Sequence, residues 1–219
     1  MMKIFIGVIV LAHALSAQTP YDSLFLKNPH YKDRTSQFEK IQTDSAAIIF
    51  LGNSLTFGGQ WTELLGRENI VNMGIVGDNT LGMLHRLHYV YQLKPTLCFI
   101  MAGINDLYAD ATVEKVFQNY IMIIDTLVAH RIIPVIQSTL HVNPKWKRSA
   151  EKNFEVKELN RLLVQYAETN GLEFIDVNSV LSLNGILREE YTTDGVHLAK
   201  PAYSQWKELL LPVLNKHGL

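Results

Sequence analysis

The amino-acid sequence predicts an α/β fold in which helices cover both faces of a five-stranded parallel sheet. Five short apolar runs, each about as long as a buried strand, alternate with segments in which apolar residues recur every three or four positions. This alternation is typical of three-layer open sheets with right-handed crossovers, and among the few orders allowed we expect the flavodoxin-like order 2-1-3-4-5. The predicted strands are Ala46 to Leu51, Ile70 to Ile75, Leu97 to Ala102, Ile132 to Gln137 and Leu172 to Val177.

The segments between these strands carry helical periodicity. The longest pattern begins after Thr112, where one apolar stripe runs from Val113 to Val128. Further helices are expected over about residues 81–93, 151–168 and 202–214.

The residues before the first strand divide into two segments. Lys3 precedes an apolar stretch from Ile4 to Leu11, and small residues follow it up to Ala17. This layout is typical of a secretory signal peptide, and the stretch is shorter than the roughly 20 apolar residues that span a bilayer. We therefore predict a signal peptide over residues 1–17, cleavage after Ala17, and a secreted or periplasmic protein.

Residues 18–45 are expected to form an N-terminal helical arm, because Phe38 and Ile41 are spaced for one helix face. The remainder, residues 46–219, is expected to be one domain, since 219 residues are few for two independent cores. The 20 basic and 21 acidic residues give a formal net charge of −1, without the basic surface that nucleic acids or anionic membranes attract. We expect neither a nucleic-acid partner nor integral membrane association of the mature chain; the oligomeric state is left open.

Chemically capable residues follow the predicted strands, at the edge where parallel sheets bind ligands. Each has an ordinary structural alternative, because serine, asparagine and aspartate cap helices and glycine serves turns. Ser54 follows the first strand, Gly77 the second and Asn105 the third, while Asp194 and His197 stand beyond the fifth.

Together these residue types meet the requirements of a serine nucleophile. The hydroxyl needs a base, a group that orients the base, and N–H donors for the oxyanion. Asp194 can hold one imidazole nitrogen of His197 and leave the other for Ser54. The backbone N–H groups of Ser54 and Gly77 and the Asn105 amide can converge on the oxyanion. Since the imidazole must be neutral to act as a base, activity should rise with pH as His197 loses its proton.

The segments that carry Ser54, Gly77, Asn105 and the Asp194–His197 pair occur in this order along the chain. They resemble the blocks of the SGNH hydrolases, also called GDSL-like lipases and acylhydrolases. The resemblance covers residues 51–198 and implies a flavodoxin-like fold without a required metal or cofactor. It implies that Asn53 occupies the position of the aspartate in the usual Gly-Asp-Ser block, a departure whose role is left open. It also implies the nucleophile Ser54, the oxyanion donors Ser54, Gly77 and Asn105, and the remaining triad residues Asp194 and His197.

The resemblance and the predicted export favour a serine esterase that removes short acyl groups, which we expect to be acetyl, from a carbohydrate or similar small substrate. A lipase, lysophospholipase or thioesterase of the same fold is an alternative. A noncatalytic carbohydrate-binding scaffold is another, although a binding module needs no intact catalytic set. Asn79, His141 and Trp146 are the candidate substrate-binding residues.

Overall fold

A single five-stranded sheet organises the computed structural model, which describes residues 20–41, 43 and 45–219. The predicted signal peptide lies outside the described residues. All neighbouring strands are parallel and follow the order β2-β1-β3-β4-β5, which confirms the predicted fold class and strand order. The strands are β1 Ile48–Gly52, β2 Ile70–Gly74, β3 Leu97–Met101, β4 Ile133–Gln137 and β5 Glu173–Ile175.

Helices surround this sheet, and a short antiparallel hairpin follows its last strand. The hairpin consists of β6 Ser182–Leu183 and β7 Ile186–Leu187, and 3-10 helices cover Pro20–Lys27 and Glu189–Tyr191. The α-helices are α1 Pro29–Phe38, α2 Ser54–Phe57, α3 Trp61–Leu65, α4 Thr80–His85, α5 Leu87–Gln92, α6 Ile104–Tyr108, α7 Val113–Ala129, α8 Ser149–Asn170, α9 Asn178–Leu181 and α10 Lys200–Lys216.

Both faces of the sheet are buried, which explains why its strands are apolar without alternation. In β1, Ile49 packs into the core on one face, and its neighbour Phe50 packs into the core on the other. Phe50 stacks on the Trp61 ring at a centroid distance of 4.1 Å, and Trp206 meets Trp61 edge to face at 4.9 Å. The aromatic stack fixes α3 and α10 against the same face of β1.

The carboxyl ends of the central strands finish at one level. Gly52 at the end of β1 pairs with Gly74 of β2 and with Met101 of β3. The loops that carry Ser54, Gly77 and Asn105 therefore leave the sheet side by side.

The helix predicted over residues 81–93 is divided in the structure. Arg86 has φ −117° and ψ 12°, so it ends α4 and begins α5 outside the helical region. Its side chain is buried in an ion pair with Asp78, a tertiary contact that hydrophobic periodicity does not encode. The hairpin β6–β7 was also not predicted, because its strands have only two residues each.

Across the described part of the chain, no helix combines the length and apolar character needed to cross a membrane.

Candidate active site

Ser54 is the first residue of a short helix that begins directly beyond β1. Asn53 caps this helix, because its Oδ1 accepts a hydrogen bond of 3.0 Å from the Leu55 N–H. Asparagine and aspartate cap helix N-termini about equally well. The structure thus gives Asn53 a role that the sequence left open, and it places Ser54, itself half-buried, at the edge of the sheet.

Asp194 and His197 form a hydrogen-bonded pair. Asp194 Oδ2 lies 2.7 Å from His197 Nδ1, while Asp194 Oδ1 accepts the backbone N–H groups of Val196 and His197 at 2.9 and 2.8 Å. Partial burial acts to raise the pKa of Asp194, but these hydrogen bonds outweigh it and lower the pKa. The carboxylate therefore stays ionised at neutral pH, holds the imidazole through Nδ1 and leaves Nε2 free.

The loop that carries this pair is braced internally, and the helix that follows it, α10, is hydrogen-bonded to the Ser54 helix. Thr192 Oγ1 accepts the Gly195 N–H and donates to the His197 carbonyl, at 2.9 and 2.8 Å. Immediately beyond the loop, Tyr203 of α10 donates a 2.9 Å hydrogen bond to the Leu55 carbonyl of α2. Among the described residues no hydrogen bond joins Ser54 to His197, and catalytic hydrogen bonds are often long before substrate binds.

Gly77 and Asn105 line one cleft of about 540 Å³ at the same edge of the sheet. Asn105 Nδ2 donates a 2.7 Å hydrogen bond to the Asp78 carbonyl, which fixes the amide and leaves its second N–H free. The N–H groups of Ser54 and Gly77 have no acceptor in the part of the chain that the structure describes. Three donors are thus available at this edge.

A buried ion pair supports the loop behind Gly77. Arg86 Nε lies 2.8 Å from Asp78 Oδ2, and Arg86 Nη2 donates to the Gly52 carbonyl at 3.1 Å. Burial raises the pKa of Asp78 to about 6, although the charge of Arg86 acts in the opposite direction. The pair ties the loop after β2 to the end of β1, next to Ser54, and sequence reasoning assigned it no role.

A second buried cluster links this loop to the arm and to α6. The fully buried Asp106 carboxylate accepts hydrogen bonds from the Tyr21 hydroxyl and from the hydroxyl and N–H of Thr80. Asn119 donates to Tyr21 Oη and Thr80 Oγ1 at 3.1 and 2.9 Å. Burial raises the pKa of Asp106, while the hydrogen bonds from Thr80 and Tyr21 act to lower it.

The three predicted substrate-binding residues lie in different surroundings. The Trp146 ring meets the His197 ring edge to face at 6.4 Å. His141 lines a separate cleft of about 460 Å³ with Lys157 and Asp176, and burial lowers its pKa. Asn79 is 1% exposed, and its Oδ1 caps α4 by accepting the Gly82 N–H at 2.8 Å. A role in substrate binding stays a prediction for all three.

The arm supplies cleft residues that sequence reasoning missed. Four residues of the arm line the same cleft as Gly77 and Asn105, three from the 3-10 helix and one that caps α1. The Asn-Pro pair at residues 28–29 signals a helix start, but no sequence pattern shows where that helix docks. The four residues are Tyr21, Leu24, Lys27 and Asn28.

Within residues 20–41, 43 and 45–219, no group of three or more His, Cys, Asp or Glu side chains is arranged to hold a metal ion. Two histidines near the break at Arg86, one at the end of α4 and one in α5, make ring contacts. His85 stacks on Phe25 at 4.6 Å, and His88 lies 3.9 Å from the Tyr89 ring.

Comparison with known families identifies the chain's relatives. The model of the GDSL-like lipase/acylhydrolase family matches residues 50–204. The chain belongs to this family. The match includes the helix of Ser54 and the His197 loop, and it excludes the arm.

The chain is also similar to part of a longer curated protein. N-acylneuraminate cytidylyltransferase of Streptococcus agalactiae serotype III (strain NEM316) is 26% identical over 168 residues, which are 75% of this chain and 38% of that protein. The chain thus matches well under half the length of that relative.

Two solved structures show the same fold. A GDSL-like lipase from Bacteroides thetaiotaomicron VPI-5482 has a TM-score of 0.75 at 22% identity, with 85% of the present chain and 98% of that chain covered. The acetyl xylan esterase AlAXEase has a TM-score of 0.65 at 19% identity, with 76% and 98% covered. At these identities the likeness concerns the fold alone.

Proposed function

We propose that this acylhydrolase is a serine esterase in which Ser54 is the nucleophile and His197, held by Asp194, is the base. The observation that carries the proposal is the 2.7 Å Asp194–His197 pair, on the loop that leads into α10, the helix hydrogen-bonded to the Ser54 helix. Three free N–H donors at the same sheet edge support it. No metal is needed for this chemistry, because an imidazole can activate the hydroxyl directly.

The proposed reaction has two steps, and each uses the same residues. Ser54 Oγ attacks the ester carbonyl carbon while its proton passes to His197 Nε2, and the resulting oxyanion accepts hydrogen bonds from Ser54, Gly77 and Asn105. The intermediate collapses, and the alcohol leaves with the proton from His197. A water molecule, deprotonated by His197, then attacks the acyl-enzyme and releases the acid.

We further propose that the substrate is a short-chain ester of a carbohydrate, with acetyl as the acyl group. We also propose that the protein acts after export. The predicted signal peptide supports export. A sugar substrate is supported by the relative named for N-acylneuraminate, and Lys27 in the cleft offers a cation to an acidic sugar. The alternatives are a lipase, lysophospholipase or thioesterase, and a noncatalytic carbohydrate-binding scaffold.

A substrate panel tests this proposal. We expect p-nitrophenyl acetate to be cleaved with a higher kcat/KM than the octanoyl and palmitoyl esters, and an acetylated sugar to be deacetylated. The sugars to compare are acetylated xylo-oligosaccharides and O-acetylated N-acylneuraminate. Rates that grow with each added methylene favour the lipase alternative, since a pocket for long chains gains from each carbon. No hydrolysis of any ester, together with sugar binding, favours the scaffold.

Replacing Asn105 by alanine tests the oxyanion donors. We expect kcat for p-nitrophenyl acetate to fall about 10²- to 10³-fold, because one preorganised donor is lost from the transition state. KM should change little, since the oxyanion does not exist in the ground state. Asn170→Ala is the matched control, because that amide donates only to the Tyr166 carbonyl near the exposed end of α8. Equal kcat values for the two variants would remove Asn105 from the mechanism.

A further inference from the structure

The arm is attached to β2 and to the loop that carries Gly77 by side chains that donate hydrogen bonds to backbone carbonyls. Arg34 of α1 donates to the Asn72 carbonyl of β2 at 3.0 Å, and Asn28 Nδ2 donates to the Val76 carbonyl at 2.8 Å. Asn28 lies outside the residues matched by the family model and beside Gly77 in the cleft. A residue outside the family match, Asn28, is thus hydrogen-bonded to the peptide that carries the Gly77 N–H, a candidate oxyanion donor.

The Asn28 side chain is held in one orientation. Its Oδ1 caps α1 by accepting the His30 N–H at 3.0 Å, so its Nδ2 is the atom that faces Val76. A methyl group placed on Gly77 would lie 3.3 Å from this Nδ2, which shows how closely the amide covers the loop. The two ends of the Asn28 amide therefore have different partners: Nδ2 donates to the Val76 carbonyl, and Oδ1 accepts from the first turn of α1.

The Val76 carbonyl, which accepts the hydrogen bond from Asn28, belongs to the middle peptide of a β-turn. Asp78 N–H donates to the Ile75 carbonyl at 3.1 Å, and Gly77 at the third position has φ +72° while Val76 is not in the positive-φ region. These features define a type II turn. Type I and type II turns differ mainly by a flip of the central peptide, here the one that joins Val76 to Gly77.

This flip decides which group of the peptide faces the arm and which group points away from it. In a planar trans peptide, the carbonyl of Val76 and the N–H of Gly77 point in opposite directions. A hydrogen bond that holds the carbonyl against the arm therefore aims the Gly77 N–H away from the arm. After a flip, a carbonyl oxygen would replace that donor and repel an oxyanion.

We propose that Asn28 is a positioning residue for the oxyanion hole, which holds the 75–78 turn in the type II form and so presents the Gly77 N–H to the reacting carbonyl. This rests on the proposed esterase function and adds to it a residue from the arm. Asn28 touches no reacting atom in this scheme and acts through the Val76–Gly77 peptide.

Two substitutions separate this role from helix capping. Asn28→Ser and Asn28→Asp both keep a good N-cap for α1, but serine is too short to reach Val76 and aspartate presents an acceptor to an acceptor. We expect kcat for p-nitrophenyl acetate to fall about tenfold or more for the serine variant and further for the aspartate variant, with KM within about twofold of wild type.

A transition-state analogue supplies a readout that a purely structural role would not change. An acetyl trifluoromethyl ketone forms a tetrahedral adduct that carries an oxyanion, so its inhibition constant should rise in proportion to the loss of kcat. Thr112→Ala is the control for general destabilisation, since it removes an N-cap from α7 away from the cleft. It should lower the melting temperature and leave kcat unchanged.

The outcomes distinguish this inference from the function on which it rests. Wild-type kcat in both Asn28 variants, with Ser54→Ala inactive, overturns the role of Asn28 and leaves the esterase in place. A loss of kcat without a matching rise in the inhibition constant also overturns it. A wild-type protein that cleaves no ester overturns the proposed function and this inference together.

Discussion

Ser54→Ala should lower kcat for p-nitrophenyl acetate by at least about 10⁴-fold while the protein remains folded. The methyl group cannot attack the carbonyl, and the other residues of the site would then act only through binding and oxyanion stabilisation. Folding should be retained because Asn53, not Ser54, supplies the side-chain cap of α2. Initial rates and circular dichroism of the two proteins measure the two quantities.

Covalent labelling makes the same test independent of turnover. A fluorophosphonate should add one adduct to the wild-type chain and to Ser179→Ala, whose serine is exposed on α9, and none to Ser54→Ala. Intact-protein mass spectrometry reads the result. An adduct on the Ser54→Ala protein, or hydrolysis at the wild-type rate, would place the nucleophile elsewhere.

The largest effect on stability is expected at the buried ion pair. Asp78→Asn should lower the free energy of unfolding by about 3 to 5 kcal/mol at pH 8, because it leaves the Arg86 guanidinium buried without its counter-charge. At pH 8 the Asp78 carboxyl, with a pKa of about 6, is ionised in the folded wild-type protein. Urea unfolding curves followed by circular dichroism give the difference.

Two further variants show whether the unpaired charge is the cause. Asp78→Asn combined with Arg86→Met should recover part of the loss, since both charges are then absent. Glu158→Gln removes one member of the exposed Arg161–Glu158 pair, which is 2.7 Å long, and should leave the free energy of unfolding nearly unchanged because solvent screens that pair. If Asp78→Asn behaves like Glu158→Gln, the ion pair does not support the loop.

Local patterns of the sequence were sufficient for the sheet. The central strands β1 and β3 carry no polar side chain because both of their faces are covered, and the runs predicted for β1 to β4 lie within about two residues of the observed strands. The helix after Thr112 was found because its apolar stripe and cap are local features. Rules of connection reduce the possible strand orders to a few, and the flavodoxin-like order expected among them is the observed one.

Contacts between distant segments could not be predicted in the same way. The break at Arg86 depends on a carboxylate eight residues earlier, and the docking of Tyr21 depends on Asp106, in a different helix. Neither leaves a periodic pattern in the sequence. The cap formed by Asn53 is local. Asparagine and the aspartate of the usual family block can both cap a helix N-terminus, so the difference in residue type leaves this geometry unchanged.

Because the arm is attached beside Gly77, residues from inside and from outside the segment matched by the family model line one cleft. The residues proposed for the chemistry lie within the segment matched by the family model, whereas Leu24 and Lys27, which line the same cleft as Gly77 and Asn105, lie before it. Insertion, deletion or exchange within the first two helices can therefore reshape what the cleft admits without altering a residue of the proposed triad. Selection for a new ester and selection for the reaction itself can act on different stretches of the gene.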